Sequence, residues 1–181
     1  MMLNISRLLA IAALLLLGAC AQTRYSDDFK SGTEFTGLKT YQWRSVTTDI
    51  GGTDKDFLQQ LADSQLRAQG FIPADKAPDL LLDLQAFSRV STGGNTSIGI
   101  GIGMPVGRHG SVGLGTGKIL GQGKQEGVIV VDVTQTTSNT LIWRGTAEGI
   151  PLINFSLKAQ HKLGESFAQL LQQFPPKAST K

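Results

Sequence analysis

One cysteine, two histidines and a formal charge of only +3 leave this chain of 181 residues few routes to chemistry. A single Cys excludes an internal disulfide framework, a CxxC redox pair and a multi-cysteine zinc site. The histidines, His109 and His161, cannot close a zinc site without two carboxylates from elsewhere, so they read as surface or turn residues and no metal or cofactor is expected. Lys+Arg number 17 against 14 Asp+Glu, spread along the chain, which gives nucleic acid no basic stripe to meet. The apolar run Leu8–Leu17 has ten residues. As a helix it would reach about 15 Å, half of a hydrocarbon core of about 30 Å, so it does not span a bilayer.

What is present is a globular composition, 40% hydrophobic and 17% charged, on a length that suits one domain with a real core. The N-terminus carries an address. Met1 to Arg7 holds one positive charge, the short apolar run follows, and small residues close it, as in a secretory signal peptide. Leu17-Gly18-Ala19-Cys20 resembles the bacterial lipobox. That resemblance implies cleavage between Ala19 and Cys20, a diacylglyceryl group on the Cys20 sulfur and an acyl chain such as palmitate on the new amine. Two or three acyl chains anchor stably where one does not. Ala21 and Gln22 follow, with no Asp directly after the cysteine, which resembles lipoproteins sorted to the outer membrane and facing the periplasm.

The mature chain divides into a polar, lipid-anchored tether (20–37), a single domain (38–176) and a loose tail (177–181), after a signal peptide of 1–19. Lys39 to Trp43 alternates polar and aromatic residues and predicts a first strand. Thr53 to Gln69 predicts a helix, with Thr53 as its cap, Asp56 completing a capping box and Gly70 as the stop. Leu80 to Val90, bounded by Pro78-Asp79, predicts a strand. The last segment, Ser156 to Phe174, repeats Leu163, Phe167, Leu170, Leu171 and Phe174 on one helical face before Pro175-Pro176 ends it.

Gly127 to Ala147 predicts a hairpin. Ile129, Val131 and Val133 share a face with Leu141, Trp143 and Gly145, around a three-residue loop, Thr137 to Asn139, with Asn139 left-handed. This register sets Asp132 opposite Arg144 as a candidate cross-strand ion pair, worth under about 1 kcal/mol if exposed, or else an acidic–basic binding site. The fold class that results is α+β, a mainly antiparallel sheet with two helices packed on one face.

Between Gly93 and Gly123, 12 of 31 residues are glycine. Neither a GxxxxGK[ST] nor a GxGxxG spacing occurs there, so no phosphate cradle is expected. Ile98, Ile100 and Ile102 alternate with glycines, as do Val112, Leu114 and Thr116, which predicts a glycine-rich hairpin insert over 93–123. It is either a surface hairpin, a docking or self-association face, or a membrane-inserting hairpin. Each strand is shorter than the 9–11 residues or so that a bilayer needs.

Pro78-Asp79-Leu80-Leu81, the strand leading to Val130-Val131-Asp132, Leu141-Ile142-Trp143-Arg144-Gly145 and the closing Phe174-Pro175-Pro176 together resemble domain of unknown function 4136, over roughly Tyr25 to Pro176. The resemblance implies a bacterial envelope lipoprotein with no assigned activity, so it carries over no catalytic residue. The residues themselves suggest none. Gly164-Glu165-Ser166-Phe167-Ala168 lacks the final glycine of a nucleophile elbow and sits in a predicted helix. Asp75, Asp79 and Asp83 straddle a turn and a strand. The expectation is therefore a non-enzymatic lipoprotein that meets the membrane through its N-terminal lipid and binds or braces another envelope component, or itself through 93–123. A small carboxylate-dependent hydrolase using Asp83 or Asp132 is the alternative, as is a self-assembling component built on the glycine-rich hairpin.

Overall fold

The computed structural model of the chain describes residues 23–91 and 124–176. The signal peptide, Cys20, the insert at 93–123, His109 and the tail at 177–181 lie outside the described residues. Six strands form one sheet, β1 (Arg24–Phe29), β2 (Thr40–Thr48), β3 (Ile72–Pro73), β4 (Leu80–Ser91), β5 (Lys124–Gln135) and β6 (Thr140–Ile150), in the order β1-β6-β5-β4-β2-β3. Two helices, α1 (Lys55–Ala68) and α2 (Gln160–Leu171), pack on one face, and the fold is α+β.

The sheet is mixed. The β1/β6, β6/β5 and β5/β4 pairs are antiparallel, whereas β2 runs parallel to both β4 and β3. The cause is α1, whose crossover returns the chain to the end of the sheet where β2 began. Alternation along the strands builds the core. Leu80, Leu82, Leu84 and Ala86 of β4, Ile129, Val131 and Val133 of β5, and Trp143 and Ala147 of β6 are buried with Phe57, Leu58, Ala62 and Leu66 of α1. From α2 come Leu163, Phe167, Leu170 and Leu171, the whole of the expected stripe within that helix.

Local chemistry moves several boundaries. The cap of α1 is Asp54, whose carboxylate accepts the Asp56 amide at 2.8 Å, and the Thr53 hydroxyl donates instead to the Phe155 carbonyl at 3.4 Å. Gly70, at φ +88°, ends that helix as expected of a left-handed stop. The first turns before α2 are 3-10 turns, Leu152–Phe155 and Leu157–Ala159, so the α-helix itself starts at Gln160 rather than Ser156. The stretch read as a bare tether contains β1, paired along its full length with β6. An edge strand wets its outer side, and RYSDDF carries the polar composition of a linker for that reason.

The hairpin keeps Asp132 opposite Arg144, but a bulge shifts the register by one between Val133 and Thr134. The loop therefore has four residues, Thr136 to Asn139, with Asn139 at φ +47°. Leu141 now faces Thr134 and is 39% exposed, off the Trp143 face where alternation alone would put it, while Ile142 is buried. Trp143 lies over Gly145, where a Cβ would fall 2.2 Å from the indole Cη2 and 2.9 Å from Leu170 Cδ1. Phe174 closes the same cluster, its ring centroid 5.1 Å from Trp143, 5.2 Å from Phe71 and 6.0 Å from Phe35.

Gly145→Ala should lower stability by about 1–3 kcal/mol, since the added methyl must displace an indole or a helix. Gly51→Ala, where a Cβ meets nothing within 4 Å, serves as the control. Urea midpoints check this, and equal midpoints for the two variants would disprove the close packing at Gly145.

Candidate functional site

The face of the sheet away from the helices carries charge. Asp28, Arg144, Asp132, Asp83 and Ser45 stand opposite one another across β1, β6, β5, β4 and β2, in one row over the sheet. Arg144 donates from Nε to Asp132 Oδ1 and from Nη2 to Oδ2, both at 2.6 Å, in a fork that suits a carboxylate. Asp132 is only 5% exposed, so this is not the weak surface pair that the sequence suggested as one reading.

Asp83 faces Asp132 directly, an arrangement that would destabilise the β4/β5 pair if left alone. A second bulge answers it. Arg44 is the extra residue between Trp43 and Ser45 on β2, and its Nε lies 3.1 and 3.0 Å from the Asp83 oxygens, with Nη2 bonded to Oδ2 as well. The Ser45 hydroxyl donates to Asp83 Oδ1 at 2.6 Å. The bond to Asp83 holds Arg44 more firmly protonated than a free guanidinium, against a smaller cost of burial and with help from Asp132. The bond to Asp132 does the same for Arg144, with Asp28 adding to it.

A second charge group lies further along the same face. Arg89 of β4 donates to Glu126 at 2.9 Å and to both Glu148 oxygens at 3.1 and 2.9 Å, and Arg24 approaches Glu148 at 3.5 Å. Burial works against the Arg89 charge, but the two glutamates outweigh it. Val128 and Val130 are also buried on this face, between the two charge groups.

Other singled-out residues serve the frame. Asp79 Oδ2 accepts the Lys39 and Thr40 amides at 3.0 and 2.8 Å and the Thr40 hydroxyl at 2.7 Å, tying the start of β2 to the start of β4. Those donors, the Lys39 amide first, pull its pKa below the usual Asp value. Asp63 of α1, which no sequence pattern marked, accepts the Tyr41 hydroxyl at 2.7 Å and the Trp43 indole N–H at 2.8 Å. Burial, then Asp63, raises the Tyr41 phenol above its ordinary range. Asp75 is exposed and does not join Asp79 and Asp83 in a shared site. Ser166 bonds back to the Lys162 carbonyl at 3.1 Å within α2, and His161 is exposed near the start of that helix. Among the described residues no group of three or more His, Cys, Asp or Glu could hold a metal ion.

An open groove of about 730 Å³ runs between β1 and the end of α2, lined by Tyr25, Asp27, Phe29, Gln169, Gln172 and Gln173. The Trp143 indole N–H, reaching from the core, donates to Asp27 Oδ2 at 3.3 Å.

A mixed sheet with helices on one face and paired charges on the other defines a small α+β scaffold. The chain belongs to the family described as Domain of unknown function (DUF4136), whose model matches residues 25–176. No curated protein matches it by sequence. Among solved structures it is similar to a PDZ domain protein from Parabacteroides distasonis, at 13% identity and a TM-score of 0.53, covering 86% of this chain. The chain spans 36% of the length of that protein. It is also similar to a single-substitution variant of the PelC dodecamer from Paraburkholderia phytofirmans, at 13% identity and a TM-score of 0.49, covering 83% of this chain and 95% of that one. The likeness to the first of these is one of fold.

Asp132→Ala should cost about 2 kcal/mol by leaving Arg144 half-buried without its main partner, and replacing both residues by valine should restore most of it. Chemical denaturation of the three variants decides this, and an unchanged midpoint for Asp132→Ala would refute it. Asp79→Ala should cost about 1 kcal/mol at neutral pH. A depressed carboxylate pKa contributes stability above the unfolded value of about 3.9 and loses it as pH falls through the folded value. The difference between wild type and Asp79→Ala should therefore shrink below about pH 4, and a pH-independent difference would contradict the assignment.

Proposed function

We propose that this chain is a lipid-anchored protein of the bacterial outer membrane, facing the periplasm, which binds or braces another envelope component and runs no reaction of its own. Leu17-Gly18-Ala19-Cys20 supports the anchor, and Ala21-Gln22 supports the choice of membrane. The observation that carries the non-enzymatic reading is the commitment of the carboxylates. Asp83 and Asp132 are each held by an arginine fork, and Asp79 by two amides and a hydroxyl. A general acid or base needs an oxygen free to reach a substrate proton, and a glycoside hydrolase needs two carboxyl groups converging on one bond. The groove between β1 and α2, with aromatic edges and amide walls, offers a ligand concave contact. Self-association through 93–123 concerns residues outside those described.

The wild-type chain should incorporate labelled palmitate in cells and fractionate with the outer membrane, and Cys20→Ser should abolish both, with its folded domain intact by circular dichroism. A wild-type chain that takes up no labelled fatty acid would defeat the anchor, whereas a membrane-retained Cys20→Ser protein would only report an uncut signal peptide, because cleavage follows acylation of the sulfur.

A further inference from the structure

We propose that the end of the domain bearing Ile153, Leu157 and Val90 is seated on the lipid bilayer. The inference rests on the lipid-anchored reading and adds an orientation to it.

The tether selects the end. β1 begins at Arg24, which pairs with Glu148 two residues before β6 finishes at Ile150. Four residue steps separate Cys20 from Arg24, and even fully extended they reach only about 14 Å. β6 has 11 residues, a length of roughly 36 Å, so the hairpin tip at its other end lies beyond that reach. An acyl group on Cys20 therefore brings the Arg24 end, and not the hairpin tip, to the membrane surface.

The surface found there fits a lipid interface. After Ile150 the chain folds inward through Asn154 and Phe155, the Phe155 ring filling the space over Gly127, which throws the flanking aliphatics outward. Ile153 is 70% and Leu157 69% exposed, the two most exposed large hydrophobic side chains among the described residues. Val90, 41% exposed, pairs with Gln125, two residues outward from Gly127 on the helix-bearing side. Exposed Lys158 and Lys124 stand beside them, able to keep their ammonium groups in the headgroup layer while the aliphatics enter the acyl boundary. Asp54 and Asp56 at the start of α1 lie among exposed Lys55 and Arg24 at the same end, so charge of both signs surrounds the apolar side chains that make the seat.

Once Cys20 is acylated the chain has no free thiol, so single labels report cleanly. Ile153→Cys, Leu157→Cys and, at the hairpin loop, Ser138→Cys would each carry an environment-sensitive fluorophore. The lipidated full chain is reconstituted in vesicles of phosphatidylethanolamine and phosphatidylglycerol. Labels at 153 and 157 should shift to the blue and be quenched by brominated acyl chains severalfold more strongly than the label at 138. If the protein floats with the vesicles but labels at 153 and 157 stay as open to aqueous iodide as 138, the seat is overturned and the anchor stands. Labels shielded from iodide yet untouched by brominated lipid would mean a protein cover, a second copy included, and also overturn it. A chain that fails to float, with Cys20 still open to maleimide, overturns anchor and seat together.

Discussion

The contact on which both faces of this domain depend is the indole of Trp143 lying over Gly145. Two residues apart on one strand, they share a face, and the ring occupies the space that any Cβ at 145 would need. The residue between them must point the other way, and it is Arg144. A single tripeptide thus commits one side of β6 to the aromatic cluster of Phe174, Phe71 and Phe35 and the other to Asp132. It also fixes the edge, because the indole N–H reaches Asp27 on β1. A strand with an exposed outer side and few buried residues gains from such a tie to the core.

The parallel half of the sheet is held by different means. A crossover through α1 leaves β2 and β4 starting at the same end, where no hairpin turn can set their register. Asp79 sets it by collecting the Lys39 and Thr40 amides, and Asp63 sets the height of the helix by accepting from Tyr41 and Trp43. These are bonds from carboxylates to neutral donors, the stronger sort, placed where hydrophobic packing alone would allow sliding.

Much of this is legible in the sequence, and the misses share a cause. Alternation and periodicity mark β4, β5, β6 and both helices, and Asn139 and Gly70 announce their turns. What alternation cannot show is the inserted residue. Arg44 on β2 and the bulge before Trp143 each break the period of two, so a strict alternation leaves Arg44 unpaired with Asp83 and puts Leu141 on the wrong side. β1 is hidden because an edge strand and a linker share a composition. Asp63, Arg89, Glu126 and Glu148 meet partners between 20 and 124 positions away along the chain, beyond any local pattern. For Arg89, Glu126 and Glu148 the only signal is a charged residue at a strand position, and Asp63, on a helix, has none.

The buried charges make most sense as devices of register. Replacing an ion pair by apolar residues often leaves stability unchanged, so strength alone does not explain a row of them on an open face. Position does. The β5 strand runs Val128, Ile129, Val130, Val131 and Val133 around one charge, Asp132, and its two faces are nearly equal in apolar character. A slip of one residue against β6 would bury aliphatics on either side at little cost. It would also strand Asp132 against Trp143 or Gly145 and leave Arg144 facing a valine, each an unpaired charge in a half-dry site. Asp132, Arg144, Asp83 and Arg44 therefore discriminate among registers that the valines alone would tolerate. In doing so they keep Trp143 on the side where Gly145, α2 and Phe174 can receive it.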